Sequence, residues 1–201
     1  MIHSCPWGNM GLTERTKILS HPERAVPEET SDILAQGMVA HVGFIQDEQA
    51  FVIPMSYHYD PQQPEYLYLH GSVRSRTLKH LAGGAPVCVT VTLTDGLVYS
   101  RKAMNHSMNY RSVVLFGKAR EITQESQKAA LFDQMVRRYF PGRTVDQDYH
   151  APPSQDLGAT ALVEITLEEG NAKARRGNPT GPEDNDPQAM GSAGVINLRE
   201  F

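Results

Sequence analysis

The run Tyr66-Leu67-Tyr68-Leu69-His70-Gly71-Ser72-Val73-Arg74-Ser75-Arg76-Thr77-Leu78-Lys79-His80-Leu81 sets the organisation of the chain. Its first half alternates aromatic and aliphatic residues with the period of two that marks a strand. His70-Gly71 ends that strand. Beyond it the hydroxyls of Ser72, Ser75 and Thr77 stand among Arg74, Arg76, Lys79 and His80. Leu78 and Leu81 have the spacing of a short helix. A strand that turns into a basic, hydroxyl-rich helix start suits a phosphate. The first N–H groups of a helix have no intrahelical partner, and the helix dipole favours an anion there. Arg and Lys add charge-assisted hydrogen bonds. Read alone, the same run is equally a solvated basic turn.

Working outward, Met38 to Gln46 and Ala50 to Tyr59 read as two strands of a hairpin around Asp47-Glu48-Gln49. Pro54 lacks an N–H, so it belongs at an edge or a bulge. A bulge would turn backbone groups of Met55, Ser56 and Tyr57 towards a ligand. Before the hairpin, Pro27 to Leu34 predicts a helix with Pro and acids in its first turn, stopped by Gly37. Residues 1–26 read as an arm, with Arg24 its one notable residue.

After Gly83-Gly84, Pro86 to Thr94 reads as a strand closed by Asp95-Gly96, and Leu97 to Ser100 as a further short strand. Met108 to Thr123 is a long strand with Gly117 as a bend. Ser126 to Phe140 is a helix, with Ala129, Phe132, Met135, Val136 and Tyr139 at helical spacing and Pro141-Gly142 as its stop. Residues 143–157 read as a loop, Ala159 to Leu167 as a last core strand, and Glu168 to Asn171 as a turn. The result is six or seven strands, mostly sequential neighbours, which predicts an antiparallel β-barrel with peripheral helices. The expected divisions are an arm over 1–26, one domain over 27–185 and a tail over 186–201.

Composition narrows the function. The 201 residues carry a net charge of −4, so no basic surplus points to nucleic acid. No apolar run reaches membrane-spanning length, and no signal-peptide pattern opens the chain. Cys5 and Cys88 form neither a disulfide framework nor a Cys-based metal site, so a reducing cytoplasm is expected. The histidines show no paired ligand spacing, and no metal site is predicted, although His58 and His70 fall on adjacent strands. Gly-x-Ser-x-Gly, Walker and Gly-x-Gly-x-x-Gly motifs are absent. A second polar segment, Asn109-Tyr110-Arg111-Ser112-Val113, opens the long strand with an amide, a phenol, a guanidinium and a hydroxyl.

Taken in order, Ile53-Pro54-Met55-Ser56-Tyr57, Leu67 to Ser72, Ser75-Arg76-Thr77-Leu78-Lys79, Asn109 to Val113, Phe116-Gly117-Lys118-Ala119 and Ala172 to Gly177 resemble the flavin-nucleotide-binding split-barrel family. That family is related to pyridoxamine phosphate oxidase, and the likeness is strongest to its nitroimidazole-resistance reductase branch. The resemblance covers about residues 20–185. It implies a mainly β, six-stranded antiparallel split β-barrel, a homodimer, and FMN at the dimer interface. It further implies that Ser72, Ser75, Arg76, Lys79 and the backbone around Gly71 hold the FMN phosphate. Pro54, Met55, Ser56 and Tyr57 would run along the flavin edge, and Asn109, Tyr110, Arg111 and Ser112 would approach from the other side. His70 would lie near the flavin as the catalytic candidate. Tyr57, Tyr59 and Tyr149 are expected as open aromatic residues of a substrate wall, and Arg175 and Arg176 as holders of an acidic substrate group. The expected activity is electron transfer from a reduced nicotinamide or other donor to a small-molecule acceptor. Alternatives are a non-catalytic flavin binder or sensor, and a barrel that binds haem or a deazaflavin. No counterpart of an Arg-x-His substrate motif is present, which argues against pyridoxamine phosphate oxidation.

Overall fold

The computed structural model describes residues 13–198; Cys5 lies outside them. Seven strands form the sheet: β1 (Val39–Gln46), β2 (Gln49–Tyr59), β3 (Tyr66–Ser72), β4 (Pro86–Tyr99), β5 (Ser107–Ile122), β6 (Thr160–Arg175) and β7 (Gly194–Asn197). Their order is β1-β2-β3-β6-β5-β4-β7, and β1 also pairs with β4. The first six strands therefore close into a ring, the mainly β antiparallel split barrel that the family resemblance implies. Helices α1 (Thr30–Gln36), α2 (Arg76–Ala82), α3 (Glu125–Tyr139) and α4 (Ser154–Ala159) are peripheral.

The chain divides into two compact units. Among the described residues, one comprises 13–37, 91–114 and 170–198; the other comprises 38–90 and 115–169.

In the second unit, β1 and β2 pair without a break from Val39↔Ser56 to Gln46↔Gln49. Asp47 and Glu48 both take positive φ, as a two-residue hairpin turn demands. Alternation then sends Ala40, Val42 and Phe44 inward, to meet Leu67, Leu69, Val163 and Ile165 in the core. The opposite face of β3 and β6 is covered by α3, where Leu131 and Met135 pack on Tyr68, Leu162 and Ile122. That second cover is why Leu67, Tyr68 and Leu69 are all buried, breaking simple alternation. Gly117 answers a close approach rather than a bend: a Cβ there would lie 2.1 Å from the Thr166 carbonyl oxygen of β6.

Three expectations change. Asp95-Gly96 does not end a strand, because β4 continues to Tyr99 and pairs with β7 through Gly96↔Asn197 to Tyr99↔Gly194. A Cβ on Gly96 would lie 2.9 Å from the Ile196 carbonyl oxygen, so its glycine serves strand packing. The expected turn at residues 168–171 is likewise strand, within the continuous β6. Asn171 is held there by donating its amide to the Thr16 carbonyl (3.0 Å) and accepting from the Ala172 N–H (2.8 Å). The end of the arm joins β6 as well, through the Ala25↔Lys173 bridge and the Val26 N–H to Ala172 carbonyl bond of 2.9 Å. Helix α4 replaces the last part of the predicted 143–157 loop.

Candidate functional site

In the second unit, β2 and β3 pair only through Tyr57↔Leu69, His58↔Tyr68 and Tyr59↔Leu67. Beyond that point they part. β2 from Gln49 to Ser56 keeps β1 on one side and has no described strand on the other. His70, Gly71 and Ser72 of β3 pair only with Leu162, Ala161 and Thr160 of β6. The facing edges of Pro54–Ser56 and His70–Ser72 thus carry backbone groups outside any ladder. Pro54 sits on this free edge, where its missing N–H costs no ladder bond. The edge expectation is met; the bulge is not, since the β1–β2 register is continuous at His41↔Pro54.

The turn into α2 lies past the end of this split. The Ser72 hydroxyl accepts from the Arg74 N–H (3.1 Å), and the Ser75 hydroxyl caps α2 by accepting from the Leu78 N–H (3.3 Å). A hydroxyl used as an acceptor still has its own proton to donate. Arg76 is exposed, and its guanidinium lies 4.5 Å over the Phe51 ring of β2. That contact tethers the start of α2 to the free-edged part of β2. Lys79 is exposed one turn on. Neither Arg76 nor Lys79 makes an ion pair with a described residue, so both charges are available to an anion. Gly71 allows this helix to lie close: a Cβ there would be 3.0 Å from Leu78 Cδ1.

His70 is placed differently from these cations. Its ring stands edge-on to Phe132 of α3, with centroids 5.3 Å apart at 86°. Its Nδ1 is buried without a hydrogen-bond partner, and burial pushes its pKa below the usual histidine range. The structure therefore groups Ser72, Ser75, Arg76 and Lys79, and assigns the His70 ring to the packing under α3.

Tyr57 and Tyr59 are each 1% exposed, which corrects the expectation of open aromatic residues. The Tyr57 phenol is pushed up to about 12 by burial, against the opposing charge of Arg138. Its backbone carbonyl accepts from Arg138 Nη1 (2.6 Å) and from the Tyr139 hydroxyl, while the Arg138 guanidinium lies 4.7 Å over the Tyr57 ring. Along β2, Met55 and Ser56 pair with Ala40 and Val39 of β1, while the Tyr57 carbonyl is engaged by α3. Sequence gives no signal of this, because Arg138 lies 81 residues from Tyr57.

In the first unit, Arg111 is 6% exposed. It donates to both Asp95 oxygens (2.9 and 3.0 Å) and to Gln36 Oε1 (3.0 Å). Its guanidinium is thus drawn into an internal, two-pronged ion pair. Asn109 accepts from Arg175 and donates to the Gly177 carbonyl (3.1 Å). Ser112 donates to the Lys173 carbonyl at 3.5 Å. Arg175 is held below the usual arginine range by burial first and by the like charge of Arg24 second, with Tyr110 opposing. Arg176 pairs with Glu29.

These features can be set beside known proteins. The family model described as Pyridoxamine 5'-phosphate oxidase matches residues 27–174. The flavocytochrome Anf3 from Azotobacter vinelandii is 32% identical, with 93% of this chain and 85% of that chain covered, at a TM-score of 0.77. The FAD and heme binding protein from Mycobacterium smegmatis is 31% identical over 85% of this chain and 81% of its own, at a TM-score of 0.75. A 5-nitroimidazole antibiotic resistance protein from Bacteroides thetaiotaomicron shares the fold at 22% identity, with 75% of this chain and 86% of that chain covered and a TM-score of 0.60. No curated protein matches. A closed ring of six strands, split between its second and third, and a family match spanning most of the chain lead to one conclusion: this chain belongs to the pyridoxamine 5'-phosphate oxidase-like split-barrel family.

Proposed function

We propose that the chain is a flavin-nucleotide-binding redox protein that passes electrons from a reduced nicotinamide or other donor to a small-molecule acceptor. The observation that carries this reading is the split between β2 and β3, beyond whose end stand two exposed cations, Arg76 and Lys79, without ion-pair partners among the described residues. The redox chemistry would be that of the bound flavin, and the protein supplies binding and orientation. Arg76 and Lys79 neutralise the phosphate, and the Ser72 and Ser75 hydroxyls donate to it. The unpaired edge of Pro54 to Ser56 offers the Pro54 carbonyl and the Ser56 N–H and carbonyl to the polar rim of the ring system. FMN, with a single terminal phosphate dianion, matches this pair of cations. His70 is neutral at pH 7, so it serves as a hydrogen-bonding group beside the split rather than as a charged acid.

The flavin reading predicts that Arg76→Ala with Lys79→Ala weakens FMN far more than riboflavin. Each charge-assisted hydrogen bond is worth about 1.5–3 kcal/mol. FMN affinity should therefore fall by roughly 100-fold or more, with riboflavin almost unchanged. Calorimetric titration of both ligands measures this, and an equal loss for both would remove the phosphate assignment. The visible spectrum of the purified protein, with mass analysis of the released cofactor, separates FMN from FAD.

A second reading adds haem, the ligand named for the Mycobacterium smegmatis relative, and the other relative above 30% identity is a flavocytochrome. The observation that favours it is His70 itself, a half-buried, unprotonated imidazole on a strand edge, which is the chemistry of a haem ligand. A Soret band lost in His70→Ala supports it.

The same reading includes a homodimer in a reducing cytoplasm. One face of the β1–β2 hairpin exposes Val39, Ile45 and Val52 at 46%, 67% and 63%, beside Met38 at 66% and the exposed Pro54. A largely apolar sheet face of this kind, with His41 and Ser56 on it, suits a second copy. Light scattering should give twice the chain mass for the wild type and the single-chain mass for Ile45→Lys with Val52→Lys.

A further inference from the structure

We propose that a cavity between the end of β2 and the last turns of α3 is a second ligand site, which takes a small hydroxy or amino carboxylic acid. The cavity holds about 450 Å³, and its polar lining is His58, Asp60, Gln62, Gln134, Arg137 and Arg138. All of these belong to the second unit. The site does not depend on the flavin reading: its residues face α3, and none is shared with the phosphate group of Ser72, Ser75, Arg76 and Lys79.

His58 is the feature that calls for a ligand. It is 4% exposed, and neither ring nitrogen makes a hydrogen bond of good geometry, although the Gln134 amide is a polar neighbour. The ring is packed on one side against Tyr68, with centroids 5.9 Å apart. Leaving a buried polar group unpaired is costly, and a ligand that supplies the partner recovers that cost. Burial and the nearby Arg138 both push the His58 pKa down, against Gln134 and Asp60. The ring is therefore neutral at pH 7 and presents one donor and one acceptor.

The rest of the lining states what the ligand must carry. Arg138 is anchored on Tyr57, through the carbonyl bond and the ring contact already described. Arg137 is held by Asp133, Nη2 to Oδ2 at 2.7 Å, with its side chain still 63% exposed. Two oriented guanidinium groups recognise a carboxylate. Asp60 uses Oδ1 to accept from the Gln62 N–H (2.9 Å), and its carboxylate answers a ligand hydroxyl or ammonium. Two cations and one carboxylate on one cavity wall favour a small molecule that has both a carboxylate and a donor. The end that enters deepest meets the neutral His58.

The test uses full-length protein with ¹⁵N-labelled histidine, titrated separately with glycolate, glycine, acetate and inorganic phosphate. Glycolate or glycine should move the His58 ring signals saturably, with millimolar or tighter affinity. Acetate, which lacks the donor, should bind about tenfold more weakly. Arg137→Gln lies at an exposed position that the fold tolerates, and Asp60→Asn keeps its size; each should weaken glycolate about tenfold. The His58 signals are assigned by their loss in His58→Gln. Three results would overturn the proposal: no saturable shift with either acid, a shift unaffected by both variants, or acetate or phosphate binding as tightly as glycolate.

Discussion

Replacing Gly117 by Ala adds one methyl group where β5 lies against β6. That Cβ would stand 2.1 Å from the Thr166 carbonyl oxygen, 3.0 Å from its carbon and 3.3 Å from Ile165 Cγ2. Real Cβ contacts essentially never fall below 3.0 Å, and the obstacle is backbone, which cannot rotate away. The two strands must separate by about 1 Å, which lengthens the ladder bonds on either side. Overpacking of this kind costs about 1–3 kcal/mol, and weakening roughly two ladder bonds adds about 0.5–1.5 kcal/mol each. The expected loss is thus about 2–6 kcal/mol, a large part of the 5–15 kcal/mol typical of a domain. Urea unfolding followed by circular dichroism measures it as a fall in midpoint at unchanged slope. Gly158→Ala is the matched control. It lies in α4 with nothing within 4 Å of its added Cβ, so it should gain about 0.5–1 kcal/mol from helix propensity. A Gly117→Ala loss below about 1 kcal/mol would refute the view that β6 requires glycine there.

Asp95→Ala strands the Arg111 guanidinium, whose side chain is 8% exposed, and should cost about 3–5 kcal/mol. Adding Arg111→Ala should restore part of that, and a double-mutant cycle by urea unfolding reads the coupling; additive losses would count against a paired charge. His58 and His70 both have folded-state pKa values below the ordinary 6.5. The unfolded chain then binds more protons, so stability should fall as pH drops through about 6.5 and go on falling towards the depressed folded values. Unfolding midpoints between pH 7.5 and 5.5 should show this slope, and it should flatten in a His58→Gln, His70→Gln protein. An unchanged slope would assign the acid sensitivity to other groups.

Local chemistry made much of the fold legible. The alternation in Tyr66 to Leu69, the Asp47-Glu48 turn and the apolar spacing of α3 depend only on neighbours in sequence, and each became the element it implied. The free edge at Pro54 was also readable, because a missing N–H excludes a central ladder position whatever the partner. The basic run at Ser72 to Lys79 was visible for the same reason: charges and hydroxyls that no nearby acid neutralises remain so after folding. What sequence alone left open was every property set by a distant partner. Whether Asp95-Gly96 turned or continued depended on β7, about a hundred residues later. Whether Arg111 faced a ligand or the interior depended on Asp95 and Gln36. Whether Tyr57 was open, and which way His70 pointed, depended on α3 covering the outer face of β3 and on Arg138 reaching back to β2. Periodicity specifies which face a residue takes relative to its own strand, but only packing specifies what that face meets. For that reason the basic, hydroxyl-rich run at Ser72 to Lys79 could be singled out in advance, whereas the His58 cavity emerged only when β2 and α3 were brought together.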